Sequence, residues 1–135
     1  MSAYSIAINH YHIKFYLKNG ADMKKVKQLL RGGISYEYGK KYKLPYNEMW
    51  QSRKIIRITS EEMNYKISGY IIGNLLKHKE VSTFEELKEN EFSSYWYAAD
   101  KYGNDIAQEL VRGVIDVDED VHGGVDFNQL KEINI

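Results

Sequence analysis

The sequence has no cysteine and a single proline, Pro45, among its 135 residues. Without cysteine neither disulfides nor thiolate metal sites can form, which suits a reducing compartment. No apolar run is long enough to cross a bilayer. The N-terminal stretch MSAYSIAINHYHIKFYL lacks a basic leader, and Asn9, His10, His12 and Lys14 interrupt its apolar residues. Neither a cleavable signal nor a membrane span is expected, so the chain reads as soluble and cytoplasmic with no membrane partner. Alanine is scarce at six residues, whereas Ile, Lys, Asn and Tyr together supply fifty, a bias toward AT-rich codons that points to low-GC, mobile DNA.

The short signatures of catalysis are missing too. No serine sits in a G-x-S-x-G setting, and Gly32-Gly33 and Gly123-Gly124 lack the later glycine and lysine of a phosphate loop. No catalytic residue and no cofactor is assigned. Acidic pairs such as Glu61/Glu62 and Glu85/Glu86 fall in the first turns of expected helices, where the helix dipole favours carboxylates.

What is present is a division of charge. The formal net charge is zero, yet residues 1–57 carry twelve Lys/Arg against three acids (+9) and residues 58–135 carry seven against sixteen (−9). The basic half is densest over residues 35–57, SYEYGKKYKLPYNEMWQSRKIIR, with four tyrosines, one tryptophan and six cations. The acidic half is densest at Asp116, Asp118, Glu119, Asp120 and Asp126. Oppositely charged halves suit steered association with a charged partner.

The expected fold is α+β: a small N-terminal antiparallel sheet packed by three to four C-terminal helices, in a single domain of ordinary size. Residues 4–18 alternate with one phase slip near residues 9–11, which reads as a bulged strand or two strand segments, with a helix buried on both faces as the rival. Asn19-Gly20 forms a turn, and Asp22 caps a helix over 23–31 that Gly32-Gly33 terminates. Residues 34–38 and 54–58 are expected as further strands, joined by a basic loop at 39–46.

Thr59 and Glu62 stand at capping-box spacing ahead of a helix over 60–79, whose Gly69 and Gly73 permit a close neighbour. A second box, Ser82/Glu85 or Thr83/Glu86, opens a short acidic helix. From Ser94 a helix places Tyr95, Ala99, Tyr102, Ile106 and Leu110 on one face, with Gly103-Asn104 as a possible division and Gly113 as its end.

Four groupings bear on chemistry. Exposed Tyr42, Tyr46 and Trp50, together with Asp116, Asp118, Glu119 and Asp120, would anchor a protein partner. Alternatively Lys40, Lys41, Lys43, Arg53, Lys54 and Arg57 would neutralise phosphates while the rings stack on bases, making a nucleic-acid binder. The Asp116-Asp118-Asp120 spacing parallels an EF-hand calcium loop but departs from it at Val121, where glycine is needed, and at Gln129, where glutamate is needed. Two residues are also in excess before Val125, so no metal is assigned. His10 and His12 would share one face of a strand, and with Lys14 and Tyr16 they are the members a metal-independent nuclease would use. The reading preferred on these grounds is a small inhibitor of the immunity or antitoxin type, bound to a toxic enzyme such as a nuclease.

Overall fold

The computed structural model describes residues 2–43 and 55–117. The chain packs as two compact units, Met1–Phe15 with Arg57–Ile135, and Tyr16–Ile56. The first unit carries nine Lys/Arg against sixteen acids and the second ten against three. The division into units therefore follows the division of charge along the sequence.

The first unit is α+β. Strands β1 (Ala3–Ile6) and β2 (Tyr11–Lys14) form a two-stranded antiparallel hairpin in the register Ala3 to Lys14 and Ile6 to Tyr11. The phase slip near residues 9–11 is the hairpin turn, where Ala7 N–H donates to His10 O (2.8 Å). The other edge of β1 is covered by residues 92–94. Ile6 N–H donates to Phe92 O (2.7 Å), Ser94 N–H to Tyr4 O (3.0 Å) and Tyr4 N–H to Ser94 Oγ (2.9 Å). A short segment bridged to β1 only at Ser5 and Ser93 thus satisfies an edge that would otherwise template other chains.

Helix α3 (Glu61–Ile72) packs on this hairpin and on α7 (Asn104–Arg112). Its cap is Ser60, whose Oγ accepts from Met63 N–H (3.2 Å), one residue beyond the expected Thr59. The expected long helix breaks at Gly73, and α4 (Asn74–Lys77) follows as a single turn. Glycine at 69 and 73 lets α7 approach closely. A Cβ at Gly69 would lie 2.1 Å from Leu110 O, and one at Gly73 would lie 2.4 Å from Val111 Cγ1. The core between these helices includes Tyr70, Ile72, Leu75, Tyr95, Ala107, Val111 and Val114. Lys77 Nζ closes its far end by donating to Ile115 O (2.6 Å) and Val117 O (2.5 Å).

The second capping box is realised in its shifted form. Thr83 Oγ1 accepts from Glu86 N–H (3.1 Å) at the head of α5 (Phe84–Glu89), and Glu86 Oε2 accepts from Ser82 N–H (2.7 Å). Beyond it, α6 (Tyr95–Tyr102) and α7 are separated by Gly103 at φ +94°. That break resets the helical phase. In α7 Ile106 is therefore exposed and Ala107 and Val111 face inward, while in α6 Tyr95 and Ala99 are buried as expected and Tyr102, its last residue, is exposed.

The second unit is helical where it is described. After a 3-10 turn (Gly20–Asp22), α1 (Met23–Lys27) runs through a π-helical segment (Gln28–Gly33) into α2 (Ile34–Tyr42). Two expectations are corrected here. Gly32-Gly33 does not end the helix, because wider hydrogen-bonded turns carry it through the glycines, and residues 34–38 are helical rather than a strand. Ser35, buried, donates its hydroxyl to Arg31 O one turn back. Residues 39–42 of the expected loop are helical, with Lys43 in the left-handed conformation (φ 56°) that closes many helices, and residues 44–46 lie outside the described residues. Residues 55–58 pair with no strand, although their composition favours one. Residue 54 lies outside the described residues.

Candidate functional site

Helix α6 supplies the most developed surface. Tyr95, Ala98 and Ala99 face inward, so at 100° per residue Trp96, Tyr97, Asp100 and Lys101 occupy the outward arc. Trp96 is 41% exposed and Tyr97 and Tyr102 are 39% exposed each. The Trp96 and Tyr97 rings meet edge to face at 5.9 Å between centroids. Lys101 Nζ lies 5.6 Å from the Tyr97 centroid and 5.4 Å from that of Tyr102, within cation–π range of both. Hydrogen bonding to the Tyr97 side chain, with the neighbouring tyrosines, holds the Lys101 amine above its ordinary range. Asp100 faces Lys88 across 3.8 Å.

Sequence periodicity marks the inward face of this helix, Tyr95, Ala99 and Tyr102, and leaves the outward arc without a motif. The signal was nonetheless present. Once Tyr95 and Ala99 face the core, Trp96 and Tyr97 are turned toward solvent, and two adjacent exposed rings on an acidic helix pair stand out.

The basic aromatic stretch is represented by α2. Tyr36, Tyr38 and Tyr42 are exposed rather than core, and Lys40, Lys41 and Lys43 are exposed beside them. Tyr38 and Tyr42, one turn apart, bring their rings to 4.5 Å, and Lys41 Nζ lies 5.2 Å from the Tyr42 centroid. Arg57 is exposed. Tyr46, Trp50, Arg53 and Lys54 lie outside the described residues, as do Asp118, Glu119, Asp120 and Asp126. Asp116 is exposed at the end of the turn that follows α7.

His10, His12 and His78 gather around the hairpin. His10 lies edge to face with His78 (4.7 Å) and His12 (5.2 Å), and His12 likewise with Tyr70 (5.2 Å). Polar contacts fix the His10 ring, with Nε2 2.9 Å from Asn74 Oδ1 and Nδ1 2.7 Å from Asn9 Oδ1. Among the described residues no group of three or more His, Asp or Glu side chains is arranged to hold a metal ion.

Lys14 belongs to a different set. It is buried on β2, and its Nζ donates to Asn64 Oδ1 (2.6 Å) and Ser68 Oγ (2.5 Å) on α3. Burial pushes the amine below its ordinary value, against the opposing pull of Glu61. A lysine of lowered pKa beside a serine hydroxyl is the composition of a nucleophilic dyad. Here Ser68 is 1% exposed and its hydroxyl is spent on Asn64 O (2.7 Å), so the pair cross-links β2 to α3. Of the four residues a nuclease would use, the structure brings His10 and His12 together and commits Lys14 elsewhere. Tyr16, 86% exposed, belongs to the second unit.

No helix among the described residues is long and apolar enough to cross a membrane. Compared with protein-family models, with curated proteins and with solved structures, the chain matches none.

Proposed function

We propose that this protein is a protein-binding module, an inhibitor of the immunity or antitoxin type that occludes a toxic enzyme such as a nuclease. The observation that carries the reading is the sorting of charge between the two compact units, with formal totals of −7 for the sequence of one and +7 for that of the other. Charge sorted in this way raises the rate of encounter with an oppositely charged surface and disfavours wrong partners. The exposed rings on α2 and α6 supply the rigid aromatic area that anchors protein interfaces.

The test is expression of the chain alone, followed by capture. An inhibitor leaves its host unharmed, retains a specific protein from native lysate, and suppresses that protein's activity when purified chain is added back. Growth arrest, or hydrolysis of nucleic acid lost on His10→Ala or His12→Ala, would instead mark the chain as a toxin.

One observation favours a second reading. The Tyr38–Tyr42 pair with Lys40, Lys41 and Lys43 on α2 offers ring faces and cations to single-stranded nucleic acid. A band shift with a steep dependence on salt, lost on changing Lys40, Lys41 and Lys43 to Gln, would support that reading over the first.

A further inference from the structure

Two independent features coincide on the exposed surface of α6 and its C-terminal end. The first is that its rings already hold a cation, with the Lys101 ammonium within cation–π distance of both Tyr97 and Tyr102. The second is the sign of the surrounding charge. Residues 84–112 carry seven carboxylates against three cations, and each of those cations is engaged locally. Lys88 meets Asp100 and Asn104, Lys101 meets the tyrosines, and Arg112 lies over Phe84 with its guanidinium on Gln108. The exposed carboxylates of Glu85, Glu86, Glu89, Glu91, Asp105 and Glu109 remain as the field of this face.

We infer that the Trp96–Tyr97–Tyr102 face of α6, with these carboxylates around it, docks an arginine-rich protein surface: the cationic cleft in which the inhibited enzyme holds its own polyanionic substrate. The inference rests on the inhibitor reading and names the surface and the partner's chemistry. Charge complementarity selects the occupant. Guanidinium groups stack on aromatic faces and pair with carboxylates in one geometry, which ammonium groups do less well. The same anionic field repels the phosphates of nucleic acid. Occupying such a cleft would inhibit by exclusion, without any group on this chain taking part in chemistry.

The chain has two tryptophans, so Trp50→Phe leaves Trp96 as the only indole. The full chain carrying that change is titrated with a nona-arginine peptide at low salt while Trp96 emission is followed. Saturable change in emission is expected. Affinity should fall about tenfold in Tyr97→Ala/Tyr102→Ala and in Asp100→Asn/Asp105→Asn, the loss expected when an interface anchor is removed. The second variant replaces only exposed carboxylates, so a fold defect in the first does not decide the result. Asp116→Asn/Asp118→Asn/Asp120→Asn is titrated in parallel, and its loss of affinity should be smaller than that of either α6 variant.

A silent Trp96, or loss confined to the 116–120 variant, would overturn the assignment. So would self-association in sedimentation that disappears in the Tyr97/Tyr102 variant, since the face would then belong to a second copy. The same variants are carried through the lysate capture. If they retain the partner as the parent does, this face is wrong while the inhibitor reading stands. If the parent chain arrests growth by itself, both fall.

Discussion

Lys14 is the residue whose environment makes the sharpest demand. Its amine is desolvated by α3, so its pKa when folded lies below the 10.5 it has in the open chain. Between those two values the unfolded chain binds more protons than the folded one, and stability therefore rises with pH across that window. Tyr95 acts oppositely: burial raises its pKa, so the fold loses stability once pH passes about 10. Urea unfolding followed up to pH 10 should show the gain in the parent chain and its absence in Lys14→Met. Identical pH profiles would show that the amine is solvated. Gly103 makes a second demand at this scale. At φ +94° an L side chain is strained although nothing lies within 4 Å of its Cβ position. Gly103→Ala should therefore cost about 1–3 kcal/mol from backbone strain alone, measured by urea unfolding.

At the scale of elements, the contact between α3 and α7 depends on two missing side chains. Gly69→Ala would set a methyl 2.1 Å from the Leu110 carbonyl, a backbone group that cannot turn aside. Overpacking of this kind typically costs about 1–3 kcal/mol, more than the gain in helix propensity offsets. A raised melting temperature for Gly69→Ala would contradict the packing. Thr83→Ala should cost about 1 kcal/mol by removing the α5 cap.

These two features were legible in the sequence because each is local: a cap needs a hydroxyl three residues from an amide, and a glycine pair one turn apart marks a close crossing. The misread elements were those where context overrode local preference. Ile34 to Tyr38 alternate like a strand, yet they continue a helix whose π turns carry it through Gly32-Gly33. Residues 55–58 favour a strand, but propensity does not supply a partner, and residues 92–94 already occupy the free edge of β1. The α6 surface was obscured because periodicity marks the inward face of a helix, whereas the break at Gly103 changes the phase only of α7, where it turns Ile106 outward.

Over the whole molecule, the separation of charge was visible at once from composition, and the structure adds that it follows the division into two compact units. What composition could not supply was which acidic surface also carries exposed rings. That depends on helix phase, and it moves attention from the 116–120 cluster to α6. The account at this scale is electrostatic: encounter is steered by opposed charge, and affinity is added by aromatic anchors once the surfaces touch. The direct measurement is the association rate constant between the purified chain and the protein it retains from native lysate, followed from low to high salt. The account predicts a rate that falls about tenfold or more as salt rises, and a further drop at low salt for Asp100→Asn/Asp105→Asn. A rate indifferent to both salt and these substitutions would contradict it.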